Sequence, residues 1–289
     1  MKKKVKLIYL TCIGRSGSTL SSLILGDIEG VQNVGEIDNL EHVFTDENKQ
    51  HLCGCGELIK ECNYWDTLFK KLKANVGFNR SAVTYNQTDT GPFGNANHAL
   101  LEEILKKTGN SVIFDKSMQF HRLKKLLKSP DFEILILHQI RDGRAVANSW
   151  RNFSKRNNRG FDRLRFVSAS IKWMLKNLSI YLMFHKNENY IQLRYEDFVE
   201  EDKNYMNAII DKIKDRFSLT AATGDFKNLT NHFVGGNRMR FSGENRVIKK
   251  DQKYLDEVSF FEWYLCSIIQ YPVLKKFNYQ FNKIKKDSR

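Results

Sequence analysis

The sequence predicts an α/β protein, a three-layer sandwich with a mainly parallel central sheet. Three observations predict it. Short β-branched, apolar runs read as buried strands, helical periodicity lies between them, and no internal repeat or Pro/Gly-rich linker interrupts the alternation. The 289 residues are 41% hydrophobic and 12% aromatic, enough to bury a sizeable core. Three prolines and 17 glycines exclude a collagen-like or low-complexity chain. The alternation is read as a single domain over 1–289, with irregular substrate-side insertions near 37–98 and 219–252.

In chain order, the first strand is Val5–Cys12. The opening MKKKVKLIYLTCIG has the basic end and apolar stretch of a signal peptide. Lys6 interrupts that stretch and a glycine turn follows at once, so it reads as a strand. Leu20, Leu23 and Ile24 begin a helix after the turn, and Leu100, Leu101, Ile104 and Leu105 mark another. Further strands are Val112–Asp115, Ile134–Ile140 and Tyr190–Leu193. Arg144–Phe153 and Leu164–Phe184 read as helices, the second long and amphipathic. Residues 73–98 and 219–252 are weakly periodic, and the tail IKKDSR reads as frayed. No apolar run approaches the roughly 18 residues that span a bilayer, which makes a cytoplasmic protein the expectation.

Charge points to an anionic ligand. Lys and Arg total 47 and Asp and Glu 33, a surplus of +14 with a pI near 9.5. Phosphorylated small molecules, nucleic acids, sulfated glycans and membrane surfaces all satisfy such a surplus. Two local arrangements narrow the choice. Strand Val5–Cys12 feeds Gly14-Arg15-Ser16-Gly17-Ser18-Thr19 and then a helix. Glycines let the backbone curl so that N–H groups converge at the helix start, Ser18 and Thr19 add hydroxyls, and Arg15 adds a charged fork. A Walker A loop would place Lys after Gly17, where Ser18 stands, so a nucleoside triphosphate is disfavoured. In the second arrangement, strand Ile134–Ile140 ends at Arg141, and a helix from near Asp142 carries Ser149 two turns on. Arg141 and Ser149 are placed to grip one phosphate from two sides.

Together these residues resemble the sulfotransferases that use 3′-phosphoadenosine 5′-phosphosulfate (PAPS). CIGRSGSTL resembles the family's 5′-phosphosulfate loop in its arginine-containing form. IRDGRAVANSW resembles the 3′-phosphate motif, with Arg141 and Ser149 eight positions apart. VGEI at Gly35-Glu36, CGCGELIKECNYW, FDKS at Lys116, RYEDF at Tyr195 and HFVGGNRMRF follow in the family's order. The resemblance implies a P-loop NTPase-like sulfotransferase fold, PAPS as donor and PAP as product.

It also implies roles. Gly14, Arg15, Ser16, Gly17, Ser18 and Thr19 hold the 5′ end of the donor, and Arg141 and Ser149 hold the 3′-phosphate. Tyr195 lies on the adenosine side, with Arg238 or Arg240 reaching the 3′-phosphate from the late loop. Lys116 stabilises the bridging oxygen as it leaves. Many family members use a histidine two residues after that lysine as base. Met118 stands there, and His121 is farther along on a helix. Glu36 matches the place where other members use a glutamate, so it is the expected base, with Glu41 and His42 as spares. Cationic side chains can carry the leaving-group charge, so the transfer requires no metal in principle.

His51, Cys53, Cys55 and Cys62 lie within twelve residues. Structural zinc, a disulfide and reduced packing thiols all remain open for them.

The expected partner is a small-molecule acceptor with a hydroxyl or amino group. The resemblance suggests a bacterial or cyanobacterial natural product, conceivably a saxitoxin-type alkaloid, with Asp38, Glu41, Asp46 and Glu47 favouring a cationic one. A carbohydrate is the alternative acceptor. A small-molecule kinase and a non-enzymatic polyanion-binding protein are the rival classes. The missing Walker lysine speaks against the first. No helix-turn-helix or RNA-binding signature supports a nucleic-acid partner.

Overall fold

The computed structural model describes residues 3–84, 93–157, 163–200, 202–219, 232–235 and 250–283. Among them are a five-stranded parallel sheet and eleven α-helices, the α/β class expected. The strands are β1 (Val5–Thr11), β2 (Val31–Gly35), β3 (Val112–Met118), β4 (Phe132–Ile140) and β5 (Tyr190–Arg194), in the order β2-β3-β1-β4-β5. The chain leaves β1 toward one side of the sheet and β4 toward the other.

Two compact units divide the chain. One comprises Met1–Thr11, Ser18–Leu137 and Asn207–Val247, the other Cys12–Gly17, His138–Met206 and Ile248–Arg289.

In the first unit β3 pairs in parallel with β1 and β2, with Ile8 and Asn33 both opposite Phe114. Strand β1 is buried at every position but Lys6. Helix α1 (Ser18–Leu25) buries the expected Leu20, Leu23 and Ile24. Helix α4 (Phe93–Thr108) buries Leu100, Leu101 and Ile104. Each fully buried leucine or isoleucine contributes about 1.5–3 kcal/mol.

Strand β2 is not among the four strands expected. Its run VQNVG is broken by two polar residues, so no apolar pattern marks it. Both are buried and bonded: Gln32 donates to the Asn33 carbonyl (3.0 Å) and Asn33 to the Ser22 carbonyl (2.8 Å). Strand β3 runs three residues past Asp115, which places Lys116 inside the strand. Its Asp115 forms a fully buried ion pair with Arg122 (3.2 Å) of α5 (Phe120–Leu126). Arg122 also donates to the Val83 carbonyl and Asn97 Oδ1, so the pair is hydrogen-bonded as buried charges require.

In the second unit α6 (Gly143–Arg156), α7 (Arg163–Phe184) and α11 (Phe260–Lys276) bury one another's apolar faces. Phe166, Ser170, Trp173, Asn177, Ile180 and Phe184 of α7 are buried at steps of three and four, one face of the expected amphipathic helix. Ser259 and Glu262 close a capping box at the start of α11. No helix among the described residues is long and apolar enough to cross a membrane.

His138 on β4 is fully buried between the Tyr190 hydroxyl (2.7 Å) and Asn177 Oδ1 (3.1 Å), and burial pushes its pKa down from 6.5 to about 3. Above about pH 6.5 the ring is neutral folded and unfolded. Below that, the unfolded chain takes a proton that the folded chain refuses until about pH 3. Stability should therefore fall with pH across this window, by about 2 kcal/mol from this group between pH 7 and pH 5. Denaturant unfolding at the two pH values should show a smaller loss for His138→Gln than for the wild type. Equal losses would show that the ring titrates normally.

Candidate active site

The loop after β1 carries the residues that the sequence reads as a candidate anion site. Arg15 (φ 74°) and Gly17 (φ 87°) both have positive φ, on either side of Ser16, so the backbone curls sharply here. Gln139 at the end of β4 donates to the Ser16 carbonyl (2.7 Å), and the Ser16 hydroxyl to the Ile13 carbonyl (2.6 Å). The Ser16 hydroxyl is thus engaged within the loop itself. Ser18 and Thr19 open α1 in the first unit.

Gly17 is a steric requirement. A Cβ there would stand 2.4 Å from the Tyr195 ring. At Gly14 the nearest atom, on Trp150, is 3.4 Å away. The Arg15 guanidinium lies 4.1 Å from the Phe153 ring centre and 5.1 Å from that of Trp150. Among the described residues no carboxylate pairs with it. Burial and the nearby Arg156 lower its pKa from the ordinary value. The guanidinium is thus a half-buried cation held on aromatic faces beside a like charge.

Arg141 follows β4, and its carbonyl accepts from Trp173 Nε1 (3.0 Å). Its guanidinium lies 4.6 Å from the Tyr195 ring centre, donates to the Arg15 carbonyl (3.3 Å) and pairs with Asp251 (3.0 Å). The two arginine motifs therefore meet within the second unit. Asp142 caps α6 through the Arg144 amide (2.9 Å), and Ser149 lies half-buried along that helix. Tyr195 is buried beneath Gly17 and Arg141, so its ring supports the loop and the arginine together. Glu196, next in sequence, accepts from the Asp142 amide (3.0 Å) and the Tyr279 hydroxyl (2.7 Å). Burial raises its pKa.

Glu36 and Lys116 meet in the first unit. Lys116 Nζ is 3.0 Å from Glu36 Oε1, with the lysine side chain 3% exposed. Glu36 Oε2 accepts from Asn39 (3.1 Å). The segment His232–Gly235 lies against this pair. The Glu36 amide donates to the Val234 carbonyl (2.7 Å) and the Val234 amide to the Val34 carbonyl (3.0 Å). This backbone contact explains the glycine before Glu36: at Gly35 (φ 71°) a Cβ would fall 2.2 Å from the Val234 carbonyl oxygen. A Cβ at Gly235 would meet Glu36 Oε2 at 3.0 Å.

Other candidates are placed elsewhere. Met118 Sδ accepts from the Ser18 hydroxyl (3.4 Å), and His121 is on α5 as expected. Glu41 pairs with Arg80 (3.3 Å), and His42 is exposed. Arg238 and Arg240 lie outside the described residues. One grouping is corrected. His51 is not with the cysteines: its Nε2 bonds Asp46 (2.9 Å), and His232 joins Cys53, Cys55 and Cys62 instead. Their separation in sequence, 170 residues between Cys62 and His232, hid that contact. Gln139, Asp251 and Glu196 were also missed, because each acts on a motif residue brought to it only by folding.

No family model matches the chain, and no curated protein matches it. Solved structures do. The sulfotransferase domain from the curacin biosynthetic pathway aligns with a TM-score of 0.61 at 16% identity, covering 97% of this chain and 99% of that one. Sulfotransferase STF9 from Mycobacterium avium aligns with a TM-score of 0.52 at 13% identity, covering 97% and 78%. The chain has the sulfotransferase fold. The Arg15 loop follows β1 and the Arg141 motif follows β4.

Gly17→Ala should lower thermal stability, because it combines a positive φ with a clash against Tyr195, at a cost of about 1–3 kcal/mol. Gly14→Ala, in ordinary van der Waals contact with Trp150, should cost far less. Similar melting points for the two variants would contradict the tight packing of Tyr195 under the loop.

Proposed function

We propose that the chain is a sulfotransferase that moves the sulfuryl group from PAPS to a hydroxyl or amino group of a small-molecule acceptor. The observation that carries this reading is the meeting of the two arginine motifs, with Arg141 donating to the Arg15 carbonyl at 3.3 Å. A bisphosphorylated nucleotide presents two anionic groups, and each motif suits one. Arg15 and the amides of Ser16, Gly17, Ser18 and Thr19 hold the phosphosulfate end, with Gly14 opening the turn. Arg141 and Ser149 hold the 3′-phosphate, and Asp251 gives up its pairing with Arg141 as that phosphate enters. Arg238 or Arg240 adds a further contact to it, and Tyr195 holds the adenosine side.

Transfer is an in-line displacement. The acceptor oxygen or nitrogen bonds to sulfur as the bond from sulfur to the bridging oxygen breaks, and PAP leaves with the electron pair. Lys116 stabilises the negative charge on that oxygen, and Glu36 takes the proton lost by the acceptor. The Lys116–Glu36 contact of 3.0 Å couples the two roles. While they are paired, the carboxylate is engaged. Once Lys116 turns to the donor, Glu36 Oε1 is free to accept a proton.

The fold, shared with a domain of a natural-product pathway, supports a biosynthetic acceptor. A cationic alkaloid of the saxitoxin type draws less support. Of the acidic residues that would attract it, Glu41 is paired with Arg80 and Asp46 with His51. The reading includes a cytoplasmic setting and no nucleic-acid or membrane partner.

The test is a panel of hydroxyl and amine acceptors incubated with labelled PAPS, read by mass spectrometry for an added sulfuryl group. Wild-type protein should sulfate at least one. Glu36→Gln should lower kcat by about 10²–10⁴-fold while PAP binds as before. Turnover close to wild type in that variant would remove Glu36 as the base.

A further inference from the structure

Three cysteines and one histidine converge in the first unit, away from the Glu36–Lys116 pair in sequence. Cys62 Sγ lies 3.2 Å from His232 Nδ1 and 3.8 Å from Cys55 Sγ, and Cys53 Sγ lies 3.6 Å from the same Nδ1. All four ligand atoms lie within 4.8 Å of one another. Tetrahedral zinc with Zn–S near 2.3 Å and Zn–N near 2.0–2.1 Å requires ligand atoms about 3.5–3.8 Å apart along each edge. The three contacts given fall at or near that spacing. A disulfide, with sulfurs about 2.05 Å apart, would use only two of these groups and leave a thiol and an imidazole facing it.

The surroundings orient the four groups inward. The His232 ring stacks on Tyr64, centroids 4.3 Å apart and planes within 1°, with Nδ1 toward the sulfurs. Cys62 precedes the 14-residue helix α3 (Asn63–Val76), and the Trp65 amide donates to the Cys62 carbonyl (3.0 Å). Gly56 (φ 96°) turns the Cys53–Cys55 segment back on itself, its amide donating to the Cys53 carbonyl (3.0 Å). The Gly54 amide reaches the Phe233 carbonyl (3.2 Å), the residue after His232.

We propose that Cys53, Cys55, Cys62 and His232 form a tetrahedral site for one structural zinc ion, which fastens the His232–Gly235 segment to the loop preceding α3. The ion displaces three thiol protons to solvent and binds three thiolates and a neutral imidazole. No bond to substrate is involved, and all four positions are taken by protein, as in structural rather than catalytic sites. The consequence lies two residues beyond His232. Val234 is hydrogen-bonded to Val34 and Glu36, so the zinc holds the backbone that packs on Gly35 and Glu36. This inference stands whether or not the chain transfers sulfate.

The test is metal analysis of the full chain purified under reducing conditions from zinc-supplemented medium. Wild type should carry about one zinc per chain and His51→Ala the same, while Cys62→Ser and His232→Ala should each fall below about a tenth of that. Should those two variants fail to fold, wild type stripped with a chelator decides. It should melt at a lower temperature, regain its melting point with Zn²⁺, and show with Co²⁺ the visible bands of a tetrahedral thiolate site. Wild type that holds little zinc and shows no such bands would overturn the proposal. So would unchanged zinc in a folded Cys62→Ser variant, or an intact mass two hydrogens light with a Cys55–Cys62 disulfide.

Discussion

Lys116 is a buried ammonium on a central strand, and an unpaired charge there would be too costly to keep. Glu36 supplies the counter-charge, and much of the first unit serves to deliver it. Strand β2 ends at Gly35 beside β3, and the missing Cβ lets the Val234 backbone approach and bond the Glu36 amide. Asn39 holds the second carboxylate oxygen. The neighbouring Asp115 is spent on Arg122, which leaves Glu36 as the partner for Lys116. The pair is thus fixed by backbone and side-chain contacts within one unit.

The three cations proposed to meet the donor are held in three ways. Lys116 has Glu36, and Arg141 has the half-exposed Asp251. Arg15 has aromatic faces and no carboxylate among the described residues. Of these three cations Arg15 is thus the least compensated among the described residues. Backbone curvature, an under-neutralised guanidinium and a helix start favour the same ligand charge. Tyr195 links this loop to Arg141, since one ring fills the space that Gly17 leaves and carries the Arg141 guanidinium.

Much of this was legible in the sequence. The β1 loop, the Arg141–Ser149 motif and the buried faces of α1 and α7 follow from local pattern, because turn chemistry and helical period are written in adjacent residues. Strand β2 was not legible, since Gln32 accepts from Asn110 and Asn33 donates to the Ser22 carbonyl, partners that only the fold brings to them. His51 looked like a fourth ligand for the cysteines on proximity alone, yet Asp46, five residues away, claims it. His232 could not be paired with Cys62 from sequence, for nothing local records a contact across 170 residues. Gln139 and Glu196 belong to the same class, residues whose bonds reach across the chain to hold the motif backbones.

Calorimetric titration with PAP tests most directly whether the two arginine motifs hold one bisphosphorylated nucleotide. The account predicts saturable binding of one PAP per chain, with ATP and Mg²⁺ bound far more weakly because no lysine follows Gly17. Absence of PAP binding, or ATP with Mg²⁺ bound as tightly as PAP, would contradict it.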